Sequence, residues 1–438
     1  MAIFTIPSDQ VENATVALVE TGDALIVEGQ IVVNPAVITQ GDLNHIFIQQ
    51  GGLIASDFAT IQVEGTNTSI VNNGVIDGAV IDIINGGEAS ASIDNRGTII
   101  TRQRAINMGG ASTSVINSGT IILRDDPTNG VIYSDVTAKS FSIENQADGV
   151  IDVGIDNNGD AISLELGETT DGSVINYGEM YGRGGENLPH AAAIRLYQGA
   201  DVEGASTFNG AIANSGLLSA ETNATILIED NVFVSGAITN NGVIDGGVYK
   251  LNGARLAIDA RQAENSITII NNGEINGDVL LTGGDDVYRS RTGNITGKVV
   301  GGDGDDLLIG CTRGEVLRAG RGDDRIKAGS GDDRVFGQQG DDVIRAGQGD
   351  DVIKAGRGNN VVYGEEGADR FKLSKGKGIT EIRDFSVQEG DVLDVRRGVI
   401  NRIEFIQDGR DVLVSLGNDE LARLSNVNAN SLPDSILV

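Results

Sequence analysis

The chain has 438 residues, room for roughly two or three domains, and it is strongly acidic: 63 acids against 32 bases, a net charge of −31. That balance, with no basic stripe carrying interleaved aromatics, argues against nucleic acid as a partner. A single cysteine, Cys311, rules out an internal disulfide framework, and no apolar run approaches the ~18 residues of a membrane-spanning helix.

The first residues, MAIFTIPSDQVENATVALVE, have neither a basic stretch nor an apolar core, so they do not read as a cleaved secretory signal. Residues 1–280 then hold most of the acid excess, 35 acids against 10 bases. They also carry a loose repeat: a β-branched pair, Asn-x-Gly, then another apolar run. It reads IVNNGVIDG from Ile70, SIDNRGTII from Ser92, VINSGTIIL from Val115, SIENQADGVID from Ser142, VINYGEMYG from Val174, AIANSGLLS from Ala211, AITNNGVIDG from Ala237 and IINNGEINGD from Ile269. IFIQQGGLIAS from Ile46 is an early variant.

The recurring asparagines are Asn72, Asn95, Asn117, Asn145, Asn176, Asn214, Asn240 and Asn271, at spacings from 22 to 38 residues. A period near 22 with short Ile/Val-rich runs is the signature of a solenoid. Asn and Gly suit the corners, and stacked Asn side chains can bond along a ladder. The expectation is an all-β fold, a right-handed parallel β-helix over 1–280. A β-sandwich is the alternative, but its strands have no reason to repeat Asn-x-Gly at coil spacing.

LTGGDDVYRS around Asp286 and TGNITGKVV read as decayed copies of a shorter, more regular repeat. From Gly301 to Lys372 that repeat runs as eight nine-residue units: GGDGDDLLI, GCTRGEVLR, AGRGDDRIK, AGSGDDRVF, GQQGDDVIR, AGQGDDVIK, AGRGNNVVY and GEEGADRFK. The first half of each is a tight turn, and Gly302, Gly304, Gly320, Gly322, Gly329, Gly331, Gly340, Gly347 and Gly349 permit the positive φ it needs. The sixth position supplies a carboxylate: Asp306, Asp324, Asp333, Asp342, Asp351 and Asp369. Carbonyls plus carboxylates in a flexible oxygen cage suit Ca²⁺ better than Mg²⁺, and no His/Cys cluster exists for zinc. The eighth position is always large and apolar and is expected to point inward.

One unit makes a turn and a strand, so two make a coil, and units two apart should stack. One edge then carries Asp306, Asp324, Asp342 and Asn360; the other carries Glu315, Asp333, Asp351 and Asp369. Weak or absent sites are expected in GCTRGEVLR, with Arg313 for Gly and Glu315 for Asp, and in AGRGNNVVY, with Asn359 and Asn360 for the acids. Residues 373–438 alternate apolar and polar between turn signals and read as hairpins forming a cap.

The G-G-x-G-x-D-x-U-x units resemble the hemolysin-type calcium-binding repeat of the RTX family. Asp384-Phe385, Gly390-Asp391 and Leu393-Asp394, with an apolar tail at Leu432, Ile436, Leu437 and Val438, resemble the uncleaved C-terminal region that the type I secretion machinery reads. The resemblance covers residues 281 to the end. It implies several Ca²⁺ ions in a β-roll over 281–372, a cap and secretion region over 373–438, and an extracellular or cell-surface location.

The repeats name export and folding, not activity. No H-E-x-x-H is present, and Gly110-Ala111-Ser112-Thr113-Ser114 lacks the closing Gly of G-x-S-x-G. The histidines are His45 and His190, and NLPHAAAIRLYQG, with His190, Arg195 and Tyr197, is the one segment like the cluster a β-helix polysaccharide lyase or epimerase needs. The expectation is therefore not an enzyme but a secreted, calcium-dependent structural protein that self-assembles into an S-layer-like sheet or filament. An adhesin or matrix protein binding cell-surface polysaccharide or neighbouring cells is the second reading, and a β-helix polysaccharide enzyme the third.

Overall fold

Ile, Val and Thr alternate in and out along short strands, and the chain folds as that period of two requires. The computed structural model describes the chain except residues 1, 33–35, 57–58, 79, 84–87, 125–129, 154–158, 185–190, 201, 249–254, 264 and 375–377. It is all-β: among the described residues no α-helix occurs, and the helical turns are short 3-10 segments such as Arg397–Arg402. The chain divides into two compact units, Met1–Glu264 and Asn265–Val438. The division precedes residue 280 and groups Asn271 and Asp286 with the nonapeptides.

In the first unit each coil contributes one strand to each of three parallel sheets. Thr68–Asn72, Val75–Gly78 and Val80–Ile83 form one such coil. Their inward residues stack in unbroken columns. One runs Ile70, Ile93, Val115, Ile143, Val174, Ile212, Ile238. The second runs Ile76, Ile99, Ile121, Ile151, Met180, Leu218, Ile244. The third runs Ile81, Ile106, Ile132, Ile162, Ile194, Ile226, Ile258. All are buried. At about 25 cal/mol per Å² of apolar surface removed from water, these columns are the main source of stability.

The asparagines form a fourth column, at the corner between the first two sheets. Each amide nitrogen donates to the next coil's amide oxygen: Asn72 to Asn95 (2.7 Å), Asn95 to Asn117 (2.7 Å), Asn117 to Asn145 (2.8 Å), Asn145 to Asn176 (2.9 Å), Asn176 to Asn214 (2.8 Å) and Asn214 to Asn240 (2.8 Å). The same nitrogens reach corner carbonyls, as from Asn117 to Gly119 (3.2 Å) and Val150 (3.3 Å). Register holds although coil lengths vary, because the extra residues fall between strands. The solenoid also starts earlier than the Asn-x-Gly pattern shows. Ile3–Ile6, Val11–Glu12 and Val16–Leu18 are a full coil stacked on Ala24–Val27, Gln30–Val32 and Val37–Thr39.

In the second unit two inward columns run throughout, and a third sheet persists only in its first coils, where Ile275 stacks on Ile295. One is Ile269, Tyr288, Leu308, Ile326, Ile344, Val362, Ile382. The other is Val279, Val299, Leu317, Val335, Ile353, Phe371, Leu393. From Leu307 to Lys372 partners lie 18 residues apart, two nonapeptides per coil. The parallel stack continues past Lys372. Thr380–Ile382 and Val392–Asp394 are further coil strands rather than hairpins, since period-two alternation is the same in both. The hairpins begin at Ile403–Asp408, which pairs antiparallel with Asp411–Leu416, itself antiparallel to Asp419–Leu424.

Replacing Asn117 by Ala leaves the Asn95 donor and the Asn145 acceptor short of a partner inside the stack. The expected loss is about 2–3 kcal/mol, at ~1–3 kcal/mol per buried unsatisfied group, whereas Asp94→Ala on the outer face should stay within about 0.5 kcal/mol. Urea unfolding of the two variants, compared with wild type, measures the difference; equal midpoints would show that the ladder contributes nothing.

Candidate metal sites

Each nonapeptide turn is shaped by its second and fourth residues. Gly302, Gly304, Gly320, Gly322, Gly329, Gly331, Gly340, Gly347 and Gly349 all have φ between +104° and +143°, as do Gly356, Gly358 and Gly367. Gln338 and Glu365 occupy second positions with φ of +86° and +71°, a conformation disfavoured for side-chain-bearing residues. In GCTRGEVLR neither Cys311 nor Arg313 adopts it. That turn is therefore built differently, and its buried Cys311 donates its backbone N–H to Glu315 (2.7 Å).

The sixth-position acids line up along two edges. On one, the backbone N–H of Asp286 donates to Asp306 Oδ1 (2.8 Å), Asp306 to Asp324 (2.8 Å), Asp324 to Asp342 (3.1 Å) and Asp342 to Asn360 (2.9 Å). On the other, Glu315 donates to Asp333 (2.6 Å), Asp333 to Asp351 (2.7 Å), Asp351 to Asp369 (3.0 Å) and Asp369 to Asp391 (2.9 Å). All these side chains are buried. The fifth-position acids make an exposed ladder of opposite sense, in which Asp323 donates its N–H to Asp305 (2.7 Å) and Asp341 to Asp323 (2.7 Å).

One oxygen of each sixth-position Asp accepts from the coil before it, and that of Glu315 accepts from Cys311 in its own turn. The other, Oδ2 of Asp306, Asp324, Asp333, Asp342, Asp351 and Asp369 and Oε1 of Glu315, is buried with no hydrogen-bond partner. A lone buried carboxylate oxygen is costly. Burial accordingly pushes the carboxyls of Asp306 and Asp342 up to about 8, those of Asp333, Asp351, Asp369 and Glu315 to about 7, and that of Asp324 to about 6.

These residues fit a hard cation. A Cβ on Gly301 would sit 2.0 Å from Asp306 Oδ2 and 2.7 Å from the Ala319 carbonyl, and one on Gly337 would sit 2.2 Å from Asp342 Oδ2 and 2.4 Å from the Ala355 carbonyl. Carboxylate and carbonyl oxygens thus surround the same points. Among the described residues no three His, Cys, Asp or Glu side chains converge, so carbonyls must complete any oxygen cage, as Ca²⁺ accepts. The ladders end in satisfied acids. Asp286 accepts from Ile267 (2.6 Å) and Thr282 (2.8 Å), and Asp391 accepts at its second oxygen from Ser386 (2.8 Å). Asp286 lies in the segment LTGGDDVYRS that reads as a decayed copy of the repeat, whereas the segment around Asp391 does not match the repeat, so its place on the ladder end was not legible there.

Asp384 accepts the backbone N–H groups of Gly364 and Glu365 (3.0 Å each), and Phe385 lies 5.9 Å from Phe371. The apolar tail docks where the Val438 N–H donates to the Leu393 carbonyl (3.1 Å) and the Val438 carbonyl accepts from Val395 (3.1 Å). Arg195 and Tyr197 lie far along the chain from these edges, on Ile194–Gln198. The Arg195 guanidinium stands 4.2 Å over the Tyr197 ring and bonds Glu229 (2.7 Å), with Asp160 at 3.8 Å. Burial raises the Asp160 carboxyl to about 6 and the Tyr197 hydroxyl to about 12. His190 lies outside the described residues. His45 stacks on Phe47 (6.2 Å).

The RTX calcium-binding nonapeptide repeat matches residues 312–344 and 336–371, and the chain carries these repeats there. Among solved structures it is similar to the extracellular lipase LipA from Serratia marcescens, with 17% identity, a TM-score of 0.24 and 41% of each chain covered. The chain therefore spans less than half of that lipase. No curated protein matches it in sequence.

An acid whose folded pKa lies above its unfolded value stabilises the fold fully below the unfolded value and loses that contribution as pH rises through the folded one. Here the window runs from about 4, the ordinary carboxyl value, to the values of about 6 to 8 given above. In chelator, the nonapeptide unit should hold its β signal at pH 5 and lose it by pH 8.5. Millimolar Ca²⁺ should restore it at the higher pH. Circular dichroism of the full chain, with hydrogen exchange to locate the change, reads this out; a signal indifferent to both pH and chelator would refute the carboxylate–calcium coupling.

Proposed function

We propose that this is a secreted structural protein whose calcium-ordered repeats gate end-to-end self-assembly into an S-layer-like sheet or filament. The observation that carries the reading is the first coil. Its strands Ile3–Ile6 and Val16–Leu18 each pair on one side only among the described residues. Beside them Ile3 is 62% exposed, Val11 54% and Val19 54%. Unpaired strand edges with apolar side chains invite another strand, and a head-to-tail contact that does not close gives a filament or lattice. Almost every described strand belongs to a stacked coil, which supports a structural role over a catalytic one.

Calcium supplies the switch. One site filled at 100-fold above its Kd contributes ~2.7 kcal/mol, so three or four would rival the ~5–15 kcal/mol stability of a domain. Cytosolic Ca²⁺ is too scarce to fill extracellular-type sites, which keeps the chain unassembled until export. The terminal motifs support the type I machinery as the exporter, and loss of residues 379–438 should leave the protein inside the cell, as fractionation of a secreting host would show.

Sedimentation in millimolar Ca²⁺ tests assembly. Wild type is expected to form large species. The variant with Asp324, Asp333, Asp342 and Asp351 replaced by Ala should stay monomeric with Met1–Glu264 still folded, and Val11→Asp should weaken association about tenfold. A wild type that remains monomeric at high concentration overturns the structural reading and favours an adhesin.

A further inference from the structure

On one face of the nonapeptide unit, strands Val316–Arg321, Arg334–Gln339 and Val352–Arg357 lie side by side in register. Position eight points in, so positions seven and nine point out. The register places Arg318, Phe336 and Lys354 in one row and Arg321, Gln339 and Arg357 in a second. Arg318, Phe336, Gln338, Gln339, Lys354 and Arg357 line a groove of about 600 Å³. Arg318, Lys354 and Arg357 are exposed, and no carboxylate among the described residues pairs with them, although Arg321 has Asp303 at 3.3 Å.

Three unneutralised cations around one groove stand out in a chain of net charge −31. The fold does not demand them: the ninth position, basic in five of the eight units, is Ile309, Phe336 or Tyr363 in the other three, and the third, which Arg357 fills, is Asp303, Ser330 or Gln339 in others. We infer that this groove binds an extended acidic polysaccharide, with its carboxylates on Arg318, Lys354 and Arg357 and a sugar ring packed beside Phe336, over whose ring the Arg318 guanidinium stands at 5.0 Å. Coils are spaced ~4.8 Å apart, so Arg318 and Lys354 stand roughly 10 Å apart along the groove. That spacing suits a polymer with a carboxylate on alternate sugars better than one with a phosphate at every step. Gln338 and Gln339 both donate and accept, as sugar hydroxyls do, and Arg meets carboxylates in bidentate geometry. The chain's overall negative charge disfavours densely charged polyanions. The groove is far in sequence from the first coil, so this proposal stands independently of self-assembly.

The test uses the full chain in millimolar Ca²⁺ with hyaluronan oligosaccharides, which carry a uronate on every second sugar, against dextran of equal length and a single-stranded oligonucleotide. Hyaluronan should bind, weaken as salt rises, and bind at least tenfold more weakly to the Arg318→Gln, Lys354→Gln, Arg357→Gln variant. Arg325→Gln with Lys327→Gln, on the opposite sheet, should leave binding unchanged. Calcium-induced circular dichroism checks that each variant folds, and Lys354→Glu alone serves if the triple variant does not. Equal binding of dextran, tighter binding of the oligonucleotide, or equal loss from the opposite-sheet variant overturns the proposal. So does a triple variant that keeps hyaluronan binding. Loss of sedimenting species in the triple variant without hyaluronan binding by wild type would assign the groove to a second copy of the chain instead.

Discussion

Every stacked coil in this protein must answer one question: what satisfies the polar side chain at the corner. In the first unit the answer is Asn, which has both a donor and an acceptor. Each Asn from Asn95 to Asn214 takes a hydrogen bond from the coil before and gives one to the coil after. The ladder closes on itself and needs nothing from outside. In the nonapeptide unit the answer is Asp, which when ionised only accepts. Asp324 takes the N–H of Asp306 with one oxygen, and its other oxygen has no donor to meet. The same stacking geometry is therefore self-sufficient with one residue type and dependent on a cation or a proton with the other.

That difference separates coils whose corner groups satisfy one another from coils whose buried acids call for a cation or a proton. Adjacent acids such as Asp323-Asp324 and Asp332-Asp333 repel one another when nothing neutralises them, and burial has already raised their sixth-position members. The two edges are not equal. Glu315 bonds the backbone of Cys311 in a turn without the left-handed positions, and Asn360 brings an amide where its neighbours bring carboxylates. The strongest case for a bound ion thus lies at the interior acids, Asp324, Asp342, Asp333 and Asp351. Asp286 and Asp391, with both oxygens satisfied, terminate the run in the way helix caps terminate a helix.

The 18-residue stacking and the membership of each edge were legible because the sixth and eighth positions of the repeat are so regular. The Asn column was legible for the same reason, since one residue type recurs at one corner. The first two coils lie inside the solenoid expected over 1–280, but Ile6 and Val27 lead into their corners without Asn-x-Gly, so apolar alternation alone marks them. Alternation also hid the extra coil strands Thr380–Ile382 and Val392–Asp394, since a period of two cannot separate a parallel coil from a hairpin. Nothing local announced that Gln338 and Glu365 would take left-handed backbone; the stack imposes it, aligning Gln338 with Gly320 and Gly356.

A solenoid also frees most of its surface from structural duty. In each nonapeptide the second and fourth residues set the turn, the sixth the ladder and the eighth the core. The third, seventh and ninth face solvent, and substitution there costs the fold little. Those positions are not fixed in this chain: the ninth is Arg or Lys in five units and Ile309, Phe336 or Tyr363 in the other three. Any recognition chemistry on the repeat unit must be placed there, at a spacing fixed by the coil rise and on whichever sheet the register selects. On the proposed reading calcium would act on recognition indirectly, by holding the stack that keeps the rows of side chains in line.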